Sequence, residues 1–332
     1  MIKIEKLIIH VLNCETNLLV VSDECMIEYE STIEKMLYQK LNKIFTNSGK
    51  KRGEFKDSSH VKGKIEDYKS KTISFEELSA WYATYVFDIK MKYGIYENSD
   101  LIVCEVLYEE RRYIVTFENS YNEGITHYIQ QEDDIVKNEI ITQKTLISQN
   151  LLKKDYAITI ELSDLQIGTI ESAVEIEGDT TFLYSNLILS CEMKTSFKEG
   201  TKAIQKVCKN ISEKYNLDDM QMMPKVKQMI VDSVDSKTDI EVEEIATILF
   251  SDKPMVKTEF KEELHKSGVH AIPVEYAKTT KAEKMQKIKT DIGIEISVPV
   301  DFMNSKEYIE FSTAVDGTIS IQLKNINKLI SK

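Results

Sequence analysis

The chain is poor both in residues that punctuate structure and in residues that usually carry chemistry. Only 11 glycines and 4 prolines occur in 332 residues, and no GxGxxG or GxxxxGK[ST] run is present to cradle a phosphate. The five cysteines (Cys14, Cys25, Cys104, Cys191, Cys208) are odd in number, scattered and never in CxxC spacing. That pattern argues against a disulfide framework and a zinc site, and it points to a reducing cytoplasm. The five histidines (His10, His60, His127, His265, His270) make no HExxH or short H-x-H pattern, and no GxSxG elbow appears. No apolar run approaches the ~18 residues of a membrane span. The N-terminal apolar stretch is short and lacks a small-residue cleavage site, so it reads as a first strand and not as a signal peptide. No repeat of solenoid period is visible. No cofactor, metal or membrane partner is expected.

What is present is charge and amphipathic pattern. The chain is 42% hydrophobic and 30% charged, with a net charge of −12. Those proportions fit a soluble globular protein, and the length suggests two domains. A net-acidic chain is unlike a nucleic-acid binder with a basic footprint, but its charge is sorted along the sequence. Lys40 to Lys71 holds ten Lys or Arg against Glu54, Asp57, Glu66 and Asp67, a balance of +6. Glu97 to Ile140 holds eleven acids against three bases, and Asp155 to Thr180 holds seven acids and no base. Such sorting permits a basic face on an acidic body.

Apolar periodicity sets the expected architecture. Lys3–Leu12 and Leu18–Val21 read as strands. Ile33, Met36, Leu37, Leu41, Ile44 and Phe45 recur at helical spacing. Residues 46–72 read as a polar, glycine-containing loop. Ser74 with Glu77 forms a capping box ahead of a helix whose stripe is Leu78, Trp81, Tyr82, Tyr85 and Ile89. Strands are expected near 101–108, 112–119, 124–130, 156–162 and 167–176, spaced too closely for crossover helices and therefore mostly antiparallel. Residues 181–191 fit either strand or helix, and Ser196–Tyr215 is helical. The domain boundary falls at NLDDMQMM (216–223), after which three helices follow, with Pro224 and Pro254 in opening turns. Three alternating runs, 292–298, 308–311 and 319–323, then predict a β-meander with Asp316-Gly317 as a tight turn. The expected fold class is α+β. Residues 1–216 form a mostly antiparallel sheet with flanking helices, and residues 217–332 form a smaller helical domain ending in a three-stranded meander.

The segment Thr290–Ile326 (TDIGIEISVPVDFMNSKEYIEFSTAVDGTISIQLKNI) resembles the C-terminal end of bacterial nucleoid-associated proteins of the YejK/NdpA type. Lys3–Leu12, DLIVCEV (100–106), Tyr113–Gly124, FLYSNLILSCE (182–192), the run to Tyr215 and the Ile240–Phe250 helix fall in that family's order, so the resemblance covers nearly the whole chain. It implies a cytoplasmic protein associated with the bacterial nucleoid. The matching positions are apolar faces and a turn, so no functional residue is carried over from the family.

Site candidates come from charge alone. Lys50, Lys51, Arg52, Lys56, Lys62 and Lys64, interleaved with Phe55, His60 and Tyr68, suit a mobile loop on a phosphate backbone. They also suit a solvated connection between helices. Lys278, Lys281, Lys284 and Lys287, followed by Lys289, would line one broad face if that segment were helical. Neither cluster offers an arrangement for reading base edges, so any contact with DNA is expected to be non-specific. Glu192-Met193-Lys194 with Asp179 upstream matches the D…ExK pattern of metal-dependent nucleases, but acid-x-Lys triplets occur six times in this charged chain. The expectation is therefore a non-enzymatic protein that binds DNA weakly through phosphates, alone or as a homodimer. Two alternatives stay open. One is an adaptor recruited by other nucleoid proteins, and the other is a component of an antiphage or mobile-element system that senses or cuts nucleic acid.

Overall fold

The computed structural model describes residues 2–132, 135–148, 155–217, 219–274, 277, 279, 281, 283–303 and 305–328. In chain order the first unit (Met1–Lys194) comprises β1 (Ile2–Asn13), β2 (Leu18–Val20), α1 (Ser31–Phe45), β3 (Lys51–Phe55), α2 (His60–Lys69) and α3 (Phe75–Lys92). There follow β4 (Ser99–Tyr108), β5 (Arg111–Glu132), β6 (Ile135–Ile147), β7 (Ala157–Glu161), β8 (Ile167–Ile170), β9 (Val174–Ile176) and β10 (Asp179–Thr181). A π-helical turn, Leu183–Ile188, leads to β11 (Cys191–Met193). One antiparallel sheet runs β11-β3-β8-β7-β5-β4-β1-β2, and β6 pairs with β5 alone. The α+β expectation holds.

β4 is buried along nearly its whole length, which an antiparallel strand shows only when both sheet faces are covered. Leu101, Val103 and Ile114 face α3, whose Leu78, Tyr82, Ala83 and Val86 complete the larger core. On the opposite face Phe45 of α1 stacks on Tyr108 (4.1 Å) and meets Tyr113 edge-on (5.1 Å). α3 begins where the sequence puts it, because both halves of the Ser74–Glu77 capping box are formed. Charge is buried on the α3 face as well. Lys90 Nζ lies 2.9 Å from Glu118, both side chains are almost fully enclosed, and Ser99 and Tyr184 also donate to Glu118. Burial alone would raise the Glu118 carboxyl, but the Lys90 charge and these donors outweigh it and hold it below its ordinary range.

Several expectations needed correction. Residues 46–72 are not a mobile loop, since they contain β3, α2 and the turns around them. β3 carries few apolar side chains and exists through its partners β8 and β11. Gly53 lets that packing close, because a Cβ there would meet Met193 Sδ at 2.3 Å. The strands near 112–119 and 124–130 are one continuous strand, β5, and β6 was not anticipated.

The second unit (Thr195–Lys332) comprises α4 (Phe197–Tyr215), α5 (Asp219–Ser236), β12 (Ile240–Glu241), α6 (Val242–Phe250), α7 (Pro254–Lys266) and β13 (Ala271–Ile272). It continues with β14 (Met285–Lys289), β15 (Glu295–Pro299), α8 (Val300–Met303), β16 (Ile309–Thr313) and β17 (Ile319–Leu323). α4 buries Ile204, Val207, Cys208 and Ile211 against Val226, Ile245 and Phe260, and so packs with the unit that follows it. Pro224 sits inside α5 and not in its opening turn. The described tail forms two separate hairpins, β14–β15 and β16–β17, where the sequence suggested one meander. The Lys-rich run supplies β14, the partner that β15 takes in place of β16. In the second hairpin only Gly317 takes a positive φ (+85°), which closes a turn in which Gly317 N donates to Ala314 O.

Two stability effects follow. Lys90→Met strands a buried carboxylate, and we expect a loss of ~3–5 kcal/mol in urea unfolding. Lys62→Met, at a partly exposed pair with Asp57, should stay within ~1 kcal/mol. Adding Glu118→Gln to Lys90→Met should recover part of the loss; equal stability of the two single variants would contradict the buried-pair reading. His10 is fully buried, accepts from Ser22 N at Nδ1 and lies 2.6 Å from Ser79 Oγ. Burial lowers its pKa to about 4. Its unfolded form still takes up a proton near pH 6.5, so stability is complete above that pH and falls as pH drops towards 4, by up to ~3 kcal/mol. A His10→Gln variant should lack that fall when unfolding is measured across pH 7 to 4.

Candidate nucleic-acid interface

The net charge is divided unevenly between the two units. The first holds 22 basic against 33 acidic residues, a balance of −11, and the second holds 21 against 22, a balance of −1. A surface for an anionic backbone meets least opposition in the second unit.

The predicted basic cluster of the first unit is largely engaged with the protein itself. Lys50 Nζ reaches Phe45 O (3.4 Å) and lies over the Phe45 ring, and Lys51 lies 4.6 Å from the Phe182 ring centroid. Arg52 donates to Gln166. On α2, Lys62 pairs with Asp57 and Lys64 with Asp67, each at 3.4 Å, and Lys64 also lies over Trp81. Lys56 is exposed beside β3. The +6 balance is therefore not a free basic patch: its members are spread over two helices, a strand and the turns between them.

The second predicted cluster is not helical where it is described. Lys281 and Lys284 are exposed in the approach to β14, and the Lys284 carbonyl accepts from Val300 N. Lys287 is exposed on β14 opposite Ser297, and Lys289, on the same face, pairs with Glu295 at 3.4 Å. Lys278 lies outside the described residues.

The most regular basic feature was missed in the sequence. On α4, Lys198, Lys202, Lys206 and Lys209 are exposed. Their spacing of four, four and three confines them to an arc of ~80° over a length of ~16 Å. The buried Ile204–Val207–Cys208–Ile211 stripe occupies the opposite side. Lys209 approaches Glu213 at 3.8 Å on the exposed surface, a contact that salt and a competing phosphate readily displace. The i, i+4 lysine pattern was readable, but only the apolar face of this helix was used to assign it. Gly200 sets the opposite face tightly, since a Cβ there would meet Ile272 at 2.6 Å.

The nuclease-like residues are not assembled into a metal site. Glu192 is exposed on β11 across from Glu54, which Lys194 approaches at 3.5 Å. Asp179 is on the separate β9–β10 hairpin. Among the described residues no group of three His, Cys, Asp or Glu side chains could hold a metal ion, and no helix is long and apolar enough to cross a membrane.

No curated protein matches the chain. The family described as "Nucleoid-associated protein YejK" matches residues 8–330, almost the full length on which the resemblance was drawn, and the chain belongs to that family.

Proposed function

We propose that this protein is a non-enzymatic, nucleoid-associated DNA binder that grips the phosphate backbone without reading sequence. The observation that carries the proposal is the α4 lysine stripe, placed on the nearly neutral unit. Four lysines over ~16 Å span the rise of about five base pairs, and each phosphate contact releases condensed counterions. Lys56, Lys62, Lys64, Lys281, Lys284 and Lys287 are secondary contacts. Lys50, Lys51 and Arg52, held against Phe45, Phe182 and Gln166, serve the packing around β3. Binding of this kind is weak and salt-sensitive, and the −11 balance of the first unit limits how densely the protein coats DNA. Family membership supports the nucleoid as the place of action.

The −11 balance also favours a second reading, in which the first unit recruits a basic nucleoid protein and DNA is reached through it.

Binding of the purified chain to a generic duplex, followed by fluorescence anisotropy from ~50 to ~200 mM salt, separates the two. We expect log affinity to fall linearly with log salt. Lys198→Gln, Lys202→Gln and Lys206→Gln together should make the slope shallower by about 3, with little sequence preference in either protein. Changing Lys50, Lys51 and Arg52 to Ala should lower stability more than it alters that slope. An unchanged slope in the α4 variant would remove the stripe from the interface. No binding at the lowest salt would overturn direct binding in favour of the adaptor.

A further inference from the structure

β5 and β6 leave the main sheet as a two-stranded ribbon. From Tyr121 onward β5 pairs with β6 alone, through Tyr121↔Ile147 to Glu132↔Ile135, with a bulge between Asn122 and Gly124. An isolated two-stranded ribbon is marginal in water unless one face is packed. Directly paired residues share a face, so the register assigns Ile125, His127, Ile129, Gln131, Val136, Asn138, Ile140 and Thr142 to one side. Four of these are large aliphatics open to solvent: Ile125 81%, Ile129 58%, Val136 60% and Ile140 81% exposed. Among the described residues, that face carries no charged residue between Ile125 and Thr142. The ion pair Lys137–Glu139 and Tyr128 lie on the other face.

We propose that this apolar ribbon face is a homodimer interface, on which the same face of a second copy packs about a two-fold axis. Three observations select a second copy. Between Ile125 and Thr142 the described face has no Lys or Arg, and residues 121–148 carry five acids against two bases, so a nucleic acid finds little purchase there. Its neutrality lets two identical faces meet without like-charge repulsion, although each whole chain carries −12. The four exposed aliphatics present roughly 500 Å² per copy, about 1,000 Å² across two copies, which meets the lower threshold for an interface between proteins. Two twisted ribbons stacked face to face would bury the aliphatics as the inner layer of a small sandwich. This goes beyond the DNA-binding proposal and stands without it. Where both hold, a dimer couples two weak stripes and raises avidity with no new kind of contact.

The test is solution mass by light scattering, together with the concentration dependence of Tm. The wild-type chain should run at twice its 38.3 kDa at micromolar concentration, with a Tm that rises with concentration. Ile125→Glu with Ile140→Glu should give a folded monomer whose Tm no longer depends on concentration, whereas Lys137→Glu on the opposite face should stay dimeric. A variant with residues 123–146 replaced by a short glycine turn should be monomeric, and it decides the matter if the double variant does not fold. A monomeric wild type, a dimer that survives the double substitution or the trimmed ribbon, or a dimer lost equally in Lys137→Glu would overturn the proposal.

Discussion

The Lys90–Glu118 pair fixes how the first unit can be built. A sheet covered on both faces has no solvent side on which to place polar groups, so every charge inside it must meet a partner. Glu118 sits on β5 and Lys90 on the last turn of α3, and Ser99 and Tyr184 bring β4 and the π-helical turn to the same carboxylate. Four elements thus converge on one charge. Other polar groups are enclosed by the same logic. Lys40 donates to Asn119 on the α1 face, and burial lowers its pKa to about 8. Glu105 accepts from Tyr68 and Arg112 at the α2 end of the α3 face. The apolar layers supply the driving force for folding, and these pairs restrict which register of strands and helices can satisfy it.

That interior leaves the surface to carry the protein's dealings with other molecules. The first unit is strongly acidic and the second nearly neutral, with four of its lysines ranged along α4. A helix buried on one side by Ile204, Val207, Cys208 and Ile211 necessarily turns the remainder of its circumference outward. Lysines at intervals of four and three then form a line and not a patch. A line of flexible cations suits a phosphate backbone, which presents regular charge and needs no exact geometry.

Much of the fold was legible because local signals agreed with the final packing. Within DLIVCEV, residues 101–104 are an unbroken apolar run because β4 is covered twice. Ser74 and Glu77 cap α3 by their own hydrogen bonds, and α4 has a strong period of 3.6. β3 was illegible because Lys51-Arg52-Gly53-Glu54-Phe55 has almost no apolar alternation: it is a strand by virtue of β8 and β11, a tertiary effect that overrides local propensity. The tail misled because its alternation was real while the partner of β15 lay upstream, in the lysine-rich Met285–Lys289, and not downstream. The surroundings of the first lysine cluster were hidden for a related reason. A charge count along the chain includes Asp57 and Asp67 but not their pairing with Lys62 and Lys64, and it cannot see Gln166 or the ring of Phe182, which engage Arg52 and Lys51 in space.

The most direct measurement of the central claim is lysine footprinting, in which acetylation by an amine-reactive reagent is read residue by residue by mass spectrometry, with and without a generic DNA duplex. The account predicts protection of Lys198, Lys202 and Lys206 by DNA at low salt, protection that fades as salt rises, and no change at Lys3 or Lys137. Full reactivity of the α4 lysines in the presence of saturating DNA would contradict it.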